Sequence, residues 1–152
     1  MFMRRSRQNH SLTASVGGLS APICFANVIE ANLDTETTLE ADMKFPEIIT
    51  RLPEAALPFP SSVVNTSVVQ SEKGQLVFFD ILKDVEIPPH SHKAQWGTVL
   101  EGHIELTIDG KTETHRPGNQ YFIPSGVVHS VKIPAGTKVI DFFEEKERYK
   151  LK

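Results

Sequence analysis

Three of the six histidines in this chain have a spacing that could place them around one metal ion. His90 and His92 are separated by a single residue, and side chains at positions i and i+2 of an extended strand point to the same face. Two imidazoles on one face can chelate a transition metal if the fold brings a third ligand to them, and His129 is a candidate. A His-x-His pair is by itself a weak signal, since two exposed histidines of a strand or turn would produce it too.

Other kinds of chemistry are excluded by composition. The single cysteine, Cys24, cannot form an intramolecular disulfide or a multi-cysteine metal site, which predicts a reducing, cytoplasmic location. A net charge of −3 provides no basic surplus for nucleic acid, so no nucleic-acid partner is expected. The longest apolar run is far shorter than the roughly 20 residues that cross a bilayer, so no membrane partner is expected. With 152 residues, one domain is predicted.

The elements that must position the histidines have the pattern of strands. Short β-branched or aromatic runs alternate with turn residues at intervals typical of a sandwich or barrel. The predicted strands are Val63–Gln70, Gln75–Leu82, Val85–Ile87, Trp96–Leu100, His103–Ile108, Lys111–His115, Gln120–Ile123, Val127–Ile133 and Thr137–Phe143. Asp109-Gly110 is the clearest hairpin turn, because a primed two-residue turn needs positive φ. The sequence therefore predicts an all-β domain.

Segments outside these strands are predicted to be irregular. Prolines from Pro46 to Pro60 predict an extended, non-helical approach to the first strand. The mostly charged segment Glu144–Lys152 predicts a solvated tail. Glu101, in a turn, is expected to point to solvent, and Trp96 to face away from its neighbour Gln95.

Residues 1–42 are predicted to be an N-terminal extension to a domain spanning 43–152. Residues 1–24 carry three arginines and no acid, whereas residues 25–42 carry five acids and no base. A signal peptide is one interpretation, but serine, threonine and glycine dilute its apolar stretch. A disordered or loosely attached extension is favoured, and translation starting at Met43 is a third possibility.

A second motif gives the histidines a context. Gly118 is followed by five residues, then Pro124, one residue, Gly126, two residues and His129. At each of these spacings the segment resembles the second motif of the cupin superfamily, G-x5-P-x-G-x2-H-x3-N. The cupin resemblance covers roughly residues 63–143.

The first cupin motif, G-x5-H-x-H-x3-4-E-x6-G, is matched with departures. His90, His92 and Gly102 are in place, whereas Asp84 stands at the opening glycine position. Counting back from Gly102 places Gln95 at the position of the usual glutamate, with only two residues between it and His92 instead of three or four. In the second motif, Ile133 occupies the closing asparagine position. The resemblance thus implies a metal site of His90, His92, His129 and Gln95.

Glutamine in place of glutamate changes what the site could do. A glutamine oxygen can coordinate a divalent cation, but it is neutral and a weaker donor than a carboxylate. A metal held by three histidines and Gln95 would keep its full formal charge and be a stronger Lewis acid, held less tightly. The expected cofactor is a divalent transition metal (zinc, iron, nickel, manganese or copper). Gln95 could instead only hydrogen-bond a metal-bound water, or the site could hold no metal.

The resemblance implies a single jelly-roll-like cupin barrel that binds a small molecule and forms a homodimer. Cupins include oxygenases, isomerases and cyclases, so a metal-dependent enzyme acting on a small organic molecule is one hypothesis. A non-catalytic module that binds or senses a small ligand is the alternative, and a purely structural barrel is a third. The sequence assigns no catalytic residue and points to no organic cofactor.

Overall fold

The computed structural model describes residues 42–152; the predictions for residues 1–41 lie outside the described residues. Within that range the chain forms nine strands and one short helix, which confirms the all-β prediction. The bounds are α1 (Glu47–Thr50), β1 (Val64–Ser71), β2 (Gly74–Ile81), β3 (Val85–His90), β4 (Gln95–Glu101), β5 (Ile104–Ile108), β6 (Lys111–His115), β7 (Gln120–Ile123), β8 (His129–Ile133) and β9 (Thr137–Phe143).

The strands form two antiparallel sheets. The five-stranded sheet has the order β1-β2-β9-β4-β7, and the four-stranded sheet has the order β3-β8-β5-β6. Side chains alternate between the two faces, so that in β7 Tyr121 and Ile123 are buried while Phe122 between them is 59% exposed. The inward side chains of both sheets form one hydrophobic core and line an internal cavity.

The approach to β1 contains one helical turn, so the prediction of a wholly non-helical approach was wrong. Pro46 precedes the helix with φ −64°, and its carbonyl accepts hydrogen bonds from the N–H groups of Ile49 (2.8 Å) and Thr50 (3.2 Å). The fixed φ of proline is compatible with a helix start, although proline breaks a helix interior. No helix in residues 42–152 is long and apolar enough to cross a membrane.

The C-terminal segment 144–152 packs on the barrel, and the prediction of a solvated tail was wrong. Leu151 forms an isolated bridge with Ala55, and the backbone N–H of Ala56 donates to the carbonyl of Lys150 at 2.7 Å. Tyr149 packs against the core, edge-on to Phe79. Charge dominates the composition of this segment, but its backbone groups and one aromatic ring are enough to attach it.

Glu101 turns inward to a buried lysine rather than out to solvent, which corrects another expectation. Lys138 is 4% exposed, and its Nζ lies 2.7 Å from Glu101 Oε2, 3.1 Å from Asp42 Oδ1 and 3.5 Å from Asp80 Oδ1. A buried ammonium needs such partners, because desolvating an unpaired charge is costly.

Candidate metal centre

Two neighbouring strands of the four-stranded sheet and one loop position the three histidines. His90 ends β3, His129 begins β8, and the two are paired across the β3–β8 ladder. The pairing register shifts between Ile87 and His90, where the two prolines of β3 interrupt the ladder. His92 lies in the loop of residues 91–94, so the His-x-His pair is only partly on a strand.

The three imidazoles converge on one point. Their ring centroids are separated by 4.2 Å (His90–His129), 4.5 Å (His92–His129) and 5.3 Å (His90–His92). One ligand nitrogen from each lies within 4.8 Å of the other two. The Nε2 atoms of His92 and His129 are 3.0 Å apart. Metal–nitrogen bonds of about 2.0–2.1 Å place neighbouring ligands about 3.0–3.4 Å apart.

Backbone carbonyls orient all three rings. Each Nδ1 lies within hydrogen-bond distance of a carbonyl oxygen close to it in sequence. The pairs are His90 with Pro88 (2.9 Å), His92 with Lys93 (2.6 Å) and His129 with Val127 (2.9 Å). A carbonyl can only accept, so each Nδ1 carries the proton and each Nε2 presents a lone pair. Three lone pairs that face one another fit a divalent transition metal.

Burial favours the neutral form that a metal ligand needs. It lowers the pKa of His92 and of His129 below the usual value, since a charged imidazole is poorly solvated there. The positive charge of Arg148 lowers both pKa values further. At neutral pH these two rings are therefore available as ligands.

A glycine links the loop that carries His92 to the segment that leads into His129. The backbone N–H of Gly126 donates to the carbonyl of His92 at 2.8 Å. Gly126 has φ +80°, a left-handed conformation that glycine adopts without strain. The glycine of the second motif thus fixes His92 from the segment that leads into His129.

Gln95 faces the same interior. It is the first residue of β4, it is buried, and it lines the cavity with the three histidines. Its side chain hydrogen-bonds the Asp141 carboxylate, and since a carboxylate accepts, the amide nitrogen donates. That bond does not use the amide oxygen, and ligation of a metal by Gln95 stays a prediction.

The cavity beside the histidines has a volume of about 340 Å³ and is lined mainly by apolar side chains of both sheets. Its volume is in the range of small-molecule sites, and its few polar groups would fix a ligand's orientation. Those groups are His90, His92, Gln95, Tyr121, His129, Asp141, Arg148 and Tyr149.

Asp141 and Tyr121 are site residues that the sequence analysis missed. Asp141 is 6% exposed, and the Tyr121 hydroxyl donates to its Oδ1 at 2.7 Å. Burial raises the pKa of Asp141 to about 6, although the hydrogen bonds from Tyr121 and Gln95 oppose the rise. Burial, with the nearby Asp141 charge, raises the pKa of Tyr121 well above its usual value. One sequence feature could have indicated Asp141. It alternates with the apolar residues Val139 and Phe143 in β9, so the two-residue period of a strand places this acid on the buried face.

An internal cavity lined by three converging histidines makes this chain a β-barrel protein with a candidate metal site. The family model for the cupin domain matches residues 77–143. The matched segment thus resembles a cupin domain in sequence, and the structural neighbours show that the chain has the cupin fold. No curated protein sequence matches the chain.

Solved structures share the fold at low identity. An RmlC-like cupin from Shewanella frigidimarina is 22% identical, with TM-score 0.57, over 69% of this chain and 92% of that chain. A cupin superfamily protein from Desulfitobacterium hafniense is 14% identical, with TM-score 0.51, over 58% and 83%. A variant of oxalate decarboxylase from Bacillus subtilis is 18% identical, with TM-score 0.53, over 64% of this chain but 28% of that chain.

Proposed function

We propose that this chain is a metal-dependent enzyme of the oxygenase, isomerase or cyclase type that acts on a small organic molecule in the barrel. The observation that carries the proposal is the convergence of one ligand nitrogen from each of three imidazoles beside a mainly apolar cavity of about 340 Å³. His90, His92 and His129 would hold the ion, with Gln95 as a predicted fourth ligand. When bound, a divalent transition metal supplies Lewis acidity towards an oxygen of the ligand or a water.

The chain's own acid–base group is the Asp141 carboxyl. With a pKa of about 6 it exchanges a proton near neutral pH, which is the range a general acid or base needs. It lines the same cavity as the histidines and lies two residues before Phe143, whose ring is 5.6 Å from His92. Asp141 therefore restores to the cavity a carboxylate that Gln95 does not provide. The Tyr121 hydroxyl holds this carboxylate in place.

The alternative is a barrel that binds or senses a small ligand without turnover. The similarity to oxalate decarboxylase is a similarity of fold, and it does not indicate which reaction this chain would catalyse. Incubation of the metal-loaded chain with a small-molecule cell extract distinguishes the hypotheses. If the chain is an enzyme, one compound of the extract disappears as a product appears. With the His129→Ala variant, that compound stays at its starting level and no product forms. A compound that is retained by the protein and returned unchanged would support the binding module instead.

Cytoplasmic location and a homodimer are part of the proposal. The cytoplasmic location is inferred from the single cysteine.

The homodimer is inferred from an apolar row on the outer face of the five-stranded sheet. The row runs through directly paired residues, and a second copy of the chain could cover it. The row consists of Val69, Leu76, Phe142, Trp96 and Phe122. Light scattering of the wild type and of Phe122→Glu tests this: a dimer that the substitution dissociates is expected, and a monomeric wild type would contradict it.

A further inference from the structure

The C-terminal segment places an arginine at the histidine end of the cavity. Arg148 lines the cavity, and its side chain is 25% exposed. Its guanidinium carbon lies 5.8 Å from the centroid of the Phe143 ring and 5.1 Å from that of Tyr149. Phe143 is in turn 5.6 Å from the His92 ring. The guanidinium is therefore stacked on aromatic rings next to the three histidines.

The Nε–H of Arg148 is buried and has no hydrogen-bond partner in residues 42–152. The Glu145 Oε2 atom is 4.0 Å away, beyond hydrogen-bond distance, and it too is buried without a partner in that range. The ion pair with Glu145 at 4.0 Å therefore leaves the guanidinium weakly partnered, and the 25% exposed side chain can present its terminal N–H groups to a ligand in the cavity.

The charges that line the cavity limit what the ligand can be. Arg148 is the single lysine or arginine in the described lining, and Asp141 is its single carboxylate. A guanidinium matches the planar geometry of a carboxylate with parallel hydrogen bonds. A second anionic group deeper in the cavity would meet the Asp141 carboxylate.

We propose that Arg148 binds the carboxylate of a small monocarboxylic ligand, and thereby selects the ligand of this barrel. The inference rests on the proposed function only in taking the cavity as the ligand site. The C-terminal segment then acts as part of the binding site, with the aromatic rings of Phe143 and Tyr149 holding the guanidinium in position.

The test compares a carboxylate with its neutral isostere. Benzoate and benzamide are titrated by NMR into the full chain, both zinc-loaded and after metal removal with a chelator. Wild type is expected to prefer benzoate, and Arg148→Gln to weaken benzoate binding about tenfold or more with little change for benzamide. Arg148→Lys keeps the charge without the planar donor pair and is expected to be intermediate.

Two variants of the same segment are matched controls. Lys146→Gln also removes one positive charge, but Lys146 pairs with Glu72 at the surface, so benzoate affinity is expected to stay the same. Glu145→Gln removes the competing carboxylate and is expected to tighten benzoate binding. Thermal unfolding of each variant checks that the domain is folded.

The inference is overturned if wild type does not bind benzoate, if it binds benzamide equally well, or if Arg148→Gln keeps the preference. Equal losses in Arg148→Gln and Lys146→Gln would also overturn it, because the effect would then be one of net charge. Zinc content, measured separately, tests the metal site: failure to bind zinc removes the proposed function, while the titration of metal-free protein still decides the role of Arg148.

Discussion

The Tyr121 hydroxyl donates a 2.7 Å hydrogen bond to Asp141 across the backbone of Gly97. Gly97 is paired with Tyr121 of β7 on one side and with Asp141 of β9 on the other. A β-carbon at position 97 would lie 2.1 Å from Asp141 Oδ1 and 2.4 Å from the Tyr121 ring. The absence of a side chain at Gly97 thus makes the contact between the two cavity residues possible.

Gly97→Ala is expected to destabilise the domain by about 2–4 kcal/mol, because both the Tyr121 ring and the carboxylate must move. Gly110→Ala is the control: Gly110 has φ +78° but open space around it, so only about 1 kcal/mol of backbone strain is expected. Urea unfolding measures both. Equal effects of the two substitutions would contradict the steric argument.

Asp141→Asn is expected to stabilise the metal-free protein at pH 7 and not at pH 4. The pKa of Asp141 rises from 3.8 to about 6 on folding, so the folded state binds the proton more tightly. The contribution of Asp141 to the free energy of unfolding of the wild type is therefore fully present below pH 3.8. It is lost as the pH rises through about 6, which lowers the free energy of unfolding by about 3 kcal/mol. The neutral asparagine does not titrate.

Urea unfolding of wild type and Asp141→Asn from pH 4 to 7 measures the difference. The expected result is a gap in the free energy of unfolding that opens with rising pH. Parallel pH profiles would show that Asp141 titrates normally and would remove the argument for it as an acid–base group.

Substituting His92 or His129 by alanine is expected to abolish retention of a divalent metal while the domain stays folded, since the core consists of other residues. His103→Ala is the matched control, because His103 lies outside the cluster. Elemental analysis and circular dichroism after dialysis are the measurements. Undiminished metal in His129→Ala would rule out the three-histidine centre.

Gln95→Glu is expected to tighten divalent metal binding, because an anionic oxygen replaces a neutral one, and to raise the pKa of a metal-bound water. The same change puts a second carboxylate beside buried Asp141, so the metal-free variant should be less stable and regain stability on metal addition. Competitive metal titration and thermal unfolding test this. Unchanged affinity would remove Gln95 from the predicted ligands.

A shortened chain beginning at Met43 is expected to keep the β-sheet circular dichroism and to lose less than about 1 kcal/mol. It loses the contact of Asp42 with Lys138, but the Asp42 side chain is 70% exposed, and Lys138 keeps Glu101 and Asp80. A large drop in the thermal midpoint would show that residues 1–42 contribute to the barrel.

Local sequence patterns were sufficient to predict the strands and the faces that they bury. All nine predicted strands are present with shifts of a few residues at their ends, because β-branched alternation and turn residues act locally. The spacing from Gly118 to His129 likewise selected the histidine of β8 that meets His90 and His92. Adjacent aromatic pairs such as Tyr121-Phe122 divide between inside and outside as the two-residue period requires.

The residues that surround the histidines could not be predicted from local patterns and follow from the packing of the whole domain. Asp141 reaches the cavity from β9, Tyr121 from β7 and Arg148 from the C-terminal segment, and no motif spacing connects the three residues. The C-terminal segment looked solvated because its composition is charged, yet backbone pairing with residues 54–56 attaches it. Local patterns specify which face of a strand is buried, whereas the register between sheets and the docking of a segment depend on contacts across the whole chain.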